Sequence, residues 1–313
     1  MPISMIQSRF FSLAKLSEGV FAAIAKKGAG AMSNAGIIDL GNEVVVFDTF
    51  TTPSAARDLR KAAEDLTQKE IKYVFNSHFH GDHTFGNQIF QDATIISTPA
   101  TRDLHRKNNR IEDRDKELEE TKQYLRQLKE RAKTESDPVL LSSLDTQLKE
   151  MSKVCEAISD LEIVLPNLTF EEKLVIHGTD RTAEFYCFGG GHTESDAFLY
   201  IPEEKIAFMG DLVLENLHPP LFHSQEFKDN LLKVRQLDIE RIVPGHGNIV
   251  TKNQIDVMIA YLTHLNEKVT RSIEKGMTLE ELLVSEISAD YAAWTGIDGY
   301  KRNLNAVYQE QNR

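Results

Sequence analysis

The sequence predicts an α/β protein in which two β-sheets are faced by helices, and three observations lead to it. Short apolar, β-branched segments bounded by Gly or Pro fall into two groups, one before about residue 100 and one after Pro166. Helical spacing separates some of these segments and takes over from Lys252 onward. No internal repeat or low-complexity tract divides the 313 residues, which read as a single domain, 1–313.

In chain order, VFAAIA after Gly19 predicts a strand, and GIIDLGNEVVVFDT predicts a hairpin with Gly41-Asn42 at its turn. The stretch from Pro53 to Gln68 has apolar residues at helical spacing and a proline at its start, and it leads into the strand IKYVFN ending at Asn76. The next segment, SHFHGDHTFGN, therefore lies on a loop at a strand's C-terminal edge. Residues 101–160 are dense in Glu, Lys, Arg and Gln and are broken by Ser136-Asp137-Pro138. Leu118, Leu125, Leu128 and Ala132 before the break, and Leu141, Leu144, Leu148, Met151, Val154 and Ile158 after it, recur at three-four spacing, which predicts an antiparallel helical hairpin. After Pro166, LTF, KLVIH, AEFYCF, AFLYI and KIAFMG predict the strands of a second sheet. A short helix from Lys228 to Leu237 precedes the strand of RIVPGHG. Residues 252–313 predict C-terminal helices: a run to Glu274, a capping box at Thr278 and Glu281, and a last helix near Lys301 to Gln309.

Composition excludes several function classes. With 36 Lys+Arg against 48 Asp+Glu the net charge is -12, which repels a phosphate backbone, so no nucleic-acid partner is expected. The two cysteines, Cys155 and Cys187, are too few for a disulfide framework or a cysteine zinc ribbon and predict a reducing compartment, each as a small buried hydrophobe. The N-terminal residues show no signal-peptide pattern, and no stretch approaches roughly 20 apolar residues. The expectation is a cytoplasmic protein with no membrane partner, acting on a small molecule.

The segment from Asn76 to His83 puts His78, His80, Asp82 and His83 within six positions directly after a strand. Neutral imidazoles and an ionised carboxylate are the ligands zinc or a similar divalent ion takes. His78 and His80 alternate along an extended backbone and point one way, while Gly81 allows a bend that turns Asp82 and His83 toward a second point. Three later residues also end predicted strands: His192 after three glycines, Asp211 after AFMG, and His246 in VPGHG.

In this order, His78, His80, Asp82, His83, His192, Asp211 and His246 resemble the ligand motifs of the metallo-β-lactamase superfamily. The resemblance covers about residues 18 to 100 and 165 to 250, with the hairpin as an insertion. It implies an αββα sandwich with a dinuclear metal site at one edge, in which His78, His80 and His192 bind one ion, Asp82, His83 and His246 bind the other, and Asp211 bridges. Asp211 stands where many true zinc β-lactamases carry Cys or Ser, which directs the resemblance toward the glyoxalase II-like and lactonase-like hydrolases. His80 stands where the di-iron flavoproteins of this fold carry Glu. The implied cofactors are two divalent ions, with Zn2+ ahead of Mn or Fe.

The expected function is hydrolysis of a small ester, thioester, lactone or lactam by a metal-bound hydroxide, with Asp82 orienting the nucleophile or passing a proton. His218 and His223, in the loop after Asp211, are the candidate substrate contacts, and Thr193 and Asn248 the candidate supports of the ligand rings. Competing readings are a mononuclear-iron oxidoreductase resembling a persulfide dioxygenase, a true β-lactamase, and a non-catalytic scaffold; the hairpin is a candidate homodimer arm or lid. His105, His177 and His264 carry no motif. Since no ligand lies within 110–160, the metal site is expected to fold without the hairpin.

Overall fold

A computed structural model describes residues 7–312. The first sheet runs in sequence order through β1 (Phe11–Ser17), β2 (Val20–Ala25), β3 (Ala35–Asp39), β4 (Val44–Phe47), β5 (Ile71–Phe75), β6 (Thr94–Ser97) and β7 (Leu168–Thr169). The second contains β8 (Lys173–His177), β9 (Thr182–Cys187), β10 (Ala197–Ile201), β11 (Ile206–Phe208), β12 (Arg241–Val243) and β13 (Val250–Thr251), in the order β13-β12-β11-β10-β9-β8. Helices α1 (Pro53–Thr67), α2 (Gly81–Thr84), α3 (Pro99–Asn108), α4 (Arg114–Thr134) and α5 (Pro138–Ala157) belong to the first half. Helices α6 (Ser224–Val234), α7 (Asn253–Glu274), α8 (Leu279–Leu283) and α9 (Gly299–Gln311) belong to the second.

The pleat sorts side chains into three apolar layers. Along β4, Val44 and Val46 join the cluster beneath α1, while Val45 and Phe47 point between the sheets. Along β10, Phe198 and Tyr200 face the C-terminal helices, while Ala197, Leu199 and Ile201 meet the first sheet. Strands apolar on both faces therefore make a four-layer αββα sandwich. Helix α1 starts at Pro53 with Thr52 capping Ala55 N–H, and it buries Ala55, Ala56, Leu59, Ala62 and Ala63, small enough to bring the helix close to the sheet. Between the sheets, a Cβ at Gly36 would fall 2.5 Å from Cε1 of Phe208.

Several elements depart from the sequence reading. Strand β1 was not foreseen, and it pairs with β2 from Phe11 to Ser17. The LTF segment pairs in parallel with β6, so it closes the first sheet instead of opening the second. Residues 99–108 form α3, separate from the hairpin, which is α4 and α5; Leu125, Leu128, Leu144 and Ile158 of its predicted stripe are buried. Helix α6 begins at Ser224, where His223 caps it. Cys155 and Cys187 are half-buried. Among the described residues no helix is long and apolar enough to cross a membrane.

Strand direction fixes where a site can form. Strand β9 is antiparallel to β10, β10 is antiparallel to β11, and β11 is parallel to β12, so β9, β11 and β12 all end at one edge of the second sheet. Ala197 N–H to Ser77 O (2.9 Å) and Asn34 N–H to Gly245 O (2.7 Å) join that edge to the loops of the first sheet.

Gly36→Val is expected to lower stability by about 1–3 kcal/mol, the usual cost of overpacking a filled core. Denaturant unfolding measures it, and unchanged stability would show that the Phe208 ring has room to move.

Candidate metal centre

The loop after β5 and the ends of β9, β11 and β12 bring all seven proposed ligands together. His78 Nε2 lies 3.0 Å from His80 Nδ1, and His192 Nε2 lies 3.1 Å from His80 Nδ1 and 3.1 Å from Asp211 Oδ2. Opposite them, His83 Nε2 lies 3.2 Å from Asp211 Oδ1, and His246 Nε2 lies 3.2 Å from Asp82 Oδ2 and 3.5 Å from Asp211 Oδ1. One ligand atom from each of His78, His80, His192 and Asp211 lies within 4.8 Å of the others, as does one from each of Asp82, His83 and His246. The two oxygens of Asp211 face different clusters.

Local sequence explains the convergence. Gly81 opens α2 without a positive φ; it is required for space, since a Cβ there would meet the Phe85 ring at 2.5 Å. The glycines before His192 pack on α6, where a Cβ at Gly191 would lie 2.7 Å from Phe227. Gly245 matters most directly, because a Cβ there would sit 2.0 Å from Asp211 Oδ1. The proline-glycine pair before His246 thus leaves room for the carboxylate between the clusters.

Hydrogen bonds outside the clusters orient the rings. His83 Nδ1 donates to Asp48 Oδ2 (2.7 Å), His192 Nδ1 to Pro220 O (3.1 Å) and His246 Nδ1 to Met32 O (3.1 Å), while His78 Nδ1 lies 2.9 Å from Ser77 Oγ. A carbonyl or carboxylate oxygen only accepts, so the outward nitrogens of His83, His192 and His246 carry protons and, in the neutral ring, their inward nitrogens present lone pairs. His83 Nε2 and Asp211 Oδ1 are buried without a hydrogen-bond partner among the described residues. Lone pairs and carboxylate oxygens aimed at one another call for a cation, and three imidazoles with carboxylates are a donor set that zinc, manganese or iron accepts. The residues fit two such ions.

The supporting residues differ from those read in the sequence. Thr193 Oγ1 donates to Asp196 Oδ1 (2.7 Å) and Asn248 Nδ2 to Glu215 Oε2 (2.9 Å), so both stabilise loops and neither touches a ligand ring. Asp48 follows a predicted strand but stood out from other aspartates by no sequence signal. Met32 O and Pro220 O act through the backbone, which residue type does not encode. His218 is buried among Tyr261, Trp294 and Tyr300, with Nδ1 2.9 Å from Tyr261 Oη. His223 has its Nδ1 3.1 Å from Glu310 Oε1 in α9. His105 is buried beside Thr84 and Asn109, and His264 Nε2 lies 2.8 Å from Tyr300 Oη.

In the metal-free chain, protons take the place of cations. Burial disfavours a charged His246, but Asp211 and Asp82 push it up to about 10. Against the same burial, Asp82, Asp211 and Asp48 raise His83 well above its usual range, and Asp211 raises His192. Burial also works against ionised Asp82, yet His83 and His246 hold its carboxyl well below the usual carboxylate range. His80 is the opposite case: burial, then His192, lowers it to about 4.

The sequence model described as the metallo-beta-lactamase superfamily matches residues 28–246, well over half the chain. The chain belongs to that superfamily. A metallo-beta-lactamase from Pontibacter korlensis superposes with a TM-score of 0.59 at 16% identity, covering 81% of this chain and 99% of that one. A double mutant of the sec-alkyl sulfatase PisA1 superposes with a TM-score of 0.68 at 19% identity, over 96% of this chain and 50% of that one. In sequence, a beta-lactamase-like protein 2 homolog from Caenorhabditis elegans is 26% identical over 98 residues, 31% of this chain and 33% of that protein.

A cation entering this site would displace the protons on His83, His192 and His246, so its affinity is expected to rise as pH increases above neutrality. Calorimetry of zinc binding at pH 7 in buffers of different ionisation enthalpy is expected to show net proton release. Zero release would refute this charge assignment.

Proposed function

We propose that the chain is a dinuclear metal-dependent hydrolase of small esters, thioesters or lactones. The observation that carries this reading is the Asp211 carboxylate, whose two oxygens face two separate ligand clusters. His78, His80 and His192 would hold one ion, Asp82, His83 and His246 the other, with Asp211 between them. Two such ions would polarise the substrate's scissile oxygen and lower the pKa of bound water enough to provide a nucleophile at neutral pH.

The chain's own residues supply orientation and proton handling. Asp48, Pro220 O and Met32 O keep His83, His192 and His246 in the tautomer that binds through Nε2. Asp82 presents Oδ2 to His246 and would orient the nucleophile beside the second cluster. His218, read in the sequence as a substrate contact, packs instead against Tyr261, Trp294 and Tyr300. Its Nδ1 lies 2.9 Å from Tyr261 Oη, which accepts from Asn303 Nδ2. Burial lowers His218 to about 4, which keeps it neutral at physiological pH.

The second cluster supports two ions over the mononuclear-iron reading, which needs only two histidines and one carboxylate. Asp211 in place of Cys or Ser supports a general hydrolase over a β-lactamase. The likeness to the sec-alkyl sulfatase over nearly the whole chain adds sulfate esters to the substrates worth testing.

Asp211→Ala is expected to lower occupancy of both metals and His246→Ala mainly of one, as read by metal analysis of protein purified without chelator. Full occupancy in both variants would refute the bridging role. In a screen of esters, thioesters, lactones, sulfate esters and lactams, the best substrate is expected to reach a kcat/KM of about 10⁴ M⁻¹s⁻¹ or more, with lactams well below it. Lactam turnover above every other class would make the protein a β-lactamase.

A further inference from the structure

The inserted hairpin reaches the metal centre through one carboxylate. Glu150, on α5, is 5% exposed and accepts Gly28 N–H at 2.5 Å through Oε1 and Gly30 N–H at 3.1 Å through Oε2. Both glycines have positive φ, +74° and +101°, so the loop turns against α5 in a conformation other residues rarely adopt. Contact is close: a Cβ at Gly28 would lie 2.8 Å from Lys149 Cβ, and one at Gly30 3.0 Å from Lys153 Cβ.

The same loop then backs the second cluster with three consecutive residues. Met32, itself at φ +68°, accepts the His246 ring proton; Ser33 Oγ donates to Asp82 O at 2.5 Å; and Asn34 Nδ2 donates to Pro244 O and Gly247 O, each at 2.9 Å, on either side of His246. The rings of the first cluster have other supports. His78 is supported by Ser77 and His192 by Pro220. The strained Met32 carbonyl follows directly on residues 28–31, which Thr51 and Thr52 hold at Ala31 O and Gly30 O and Glu150 holds at the two glycine amides.

We propose that Glu150 is a positioning residue that couples the hairpin to the second metal cluster and sets that cluster's affinity without touching a ligand. The proposal rests on the dinuclear reading of the site. It also revises the expectation that the metal centre is indifferent to the hairpin: loss of α5 should weaken the second cluster and spare the first.

The test is stepwise zinc affinity of the full-length protein, measured by competition with a chromophoric chelator, for wild type, Glu150→Gln and Glu150→Ala. Arg131→Ala serves as control because it breaks another hairpin anchor, the bidentate pair with Asp298, whose Nη2–Oδ1 distance is 2.8 Å. Glu150→Gln preserves shape but turns an amide toward an amide N–H, so it perturbs the loop even if Glu150→Ala fails to fold. The expected result is two zinc ions in wild type, a second-ion affinity about 10- to 100-fold lower in the Glu150 variants, first-ion affinity unchanged, and Arg131→Ala like wild type. Two ions with unchanged affinities in Glu150→Gln would overturn the coupling alone. Equal weakening of both ions, or the same loss in Arg131→Ala, would overturn it in favour of general support of the fold. One ion in wild type would overturn the dinuclear reading and the coupling with it.

Discussion

Imidazole nitrogens aimed at one another from about 3 Å repel unless a proton or a metal cation lies between them, and the rest of the centre is built to hold them there. His78, His80 and His192 approach in this way on one side of Asp211, and His83 and His246 approach the carboxylates on the other. Neutral side chains free to rotate would relieve the repulsion by turning outward. They are prevented by burial and by the outer hydrogen bonds, each of which fixes a ring and puts its proton on the side away from the centre.

Holding that arrangement has a backbone cost. Met32, Asp48 and Phe50 have positive φ without being glycine, and all three lie in the loops that enclose the second cluster: Met32 backs His246, Asp48 backs His83, and Phe50 O accepts Gly86 N–H just beyond α2. Strain of this kind persists where surrounding contacts over-determine the conformation. Here the contacts are the sandwich itself, since Asp48 and the ligand loop extend from β4 and β5, neighbouring parallel strands whose C-terminal residues are buried.

The seven residues that meet in the two clusters were legible in the sequence because metal chemistry restricts residue type and strand ends restrict position. Most of the sandwich was legible for a similar reason: β-branched runs ending at Gly or Pro mark strands whichever sheet they join. Sheet membership was not, and Leu168–Thr169 shows why, since two residues carry no pattern and take their place from pairing with β6. The supports of the centre were hidden for two physical reasons. Carbonyls such as Met32 O have no residue signature, and Glu150 acts across about 120 positions, a range no local pattern spans. His218 lay in a loop that suggested contact with substrate, whereas its ring packs among aromatic residues of α7 and α9 and the segment between α8 and α9.

Asp211 and His246 come from the second sheet, and His83 and Asp82 from the first, so neither sheet alone owns the second cluster. A strand that slipped by one residue would turn its side chains to the opposite face and pull a ligand out of reach. The second cluster is therefore a readout of assembly: its side chains meet only after both sheets have formed in register and docked, so a misassembled chain lacks the cluster.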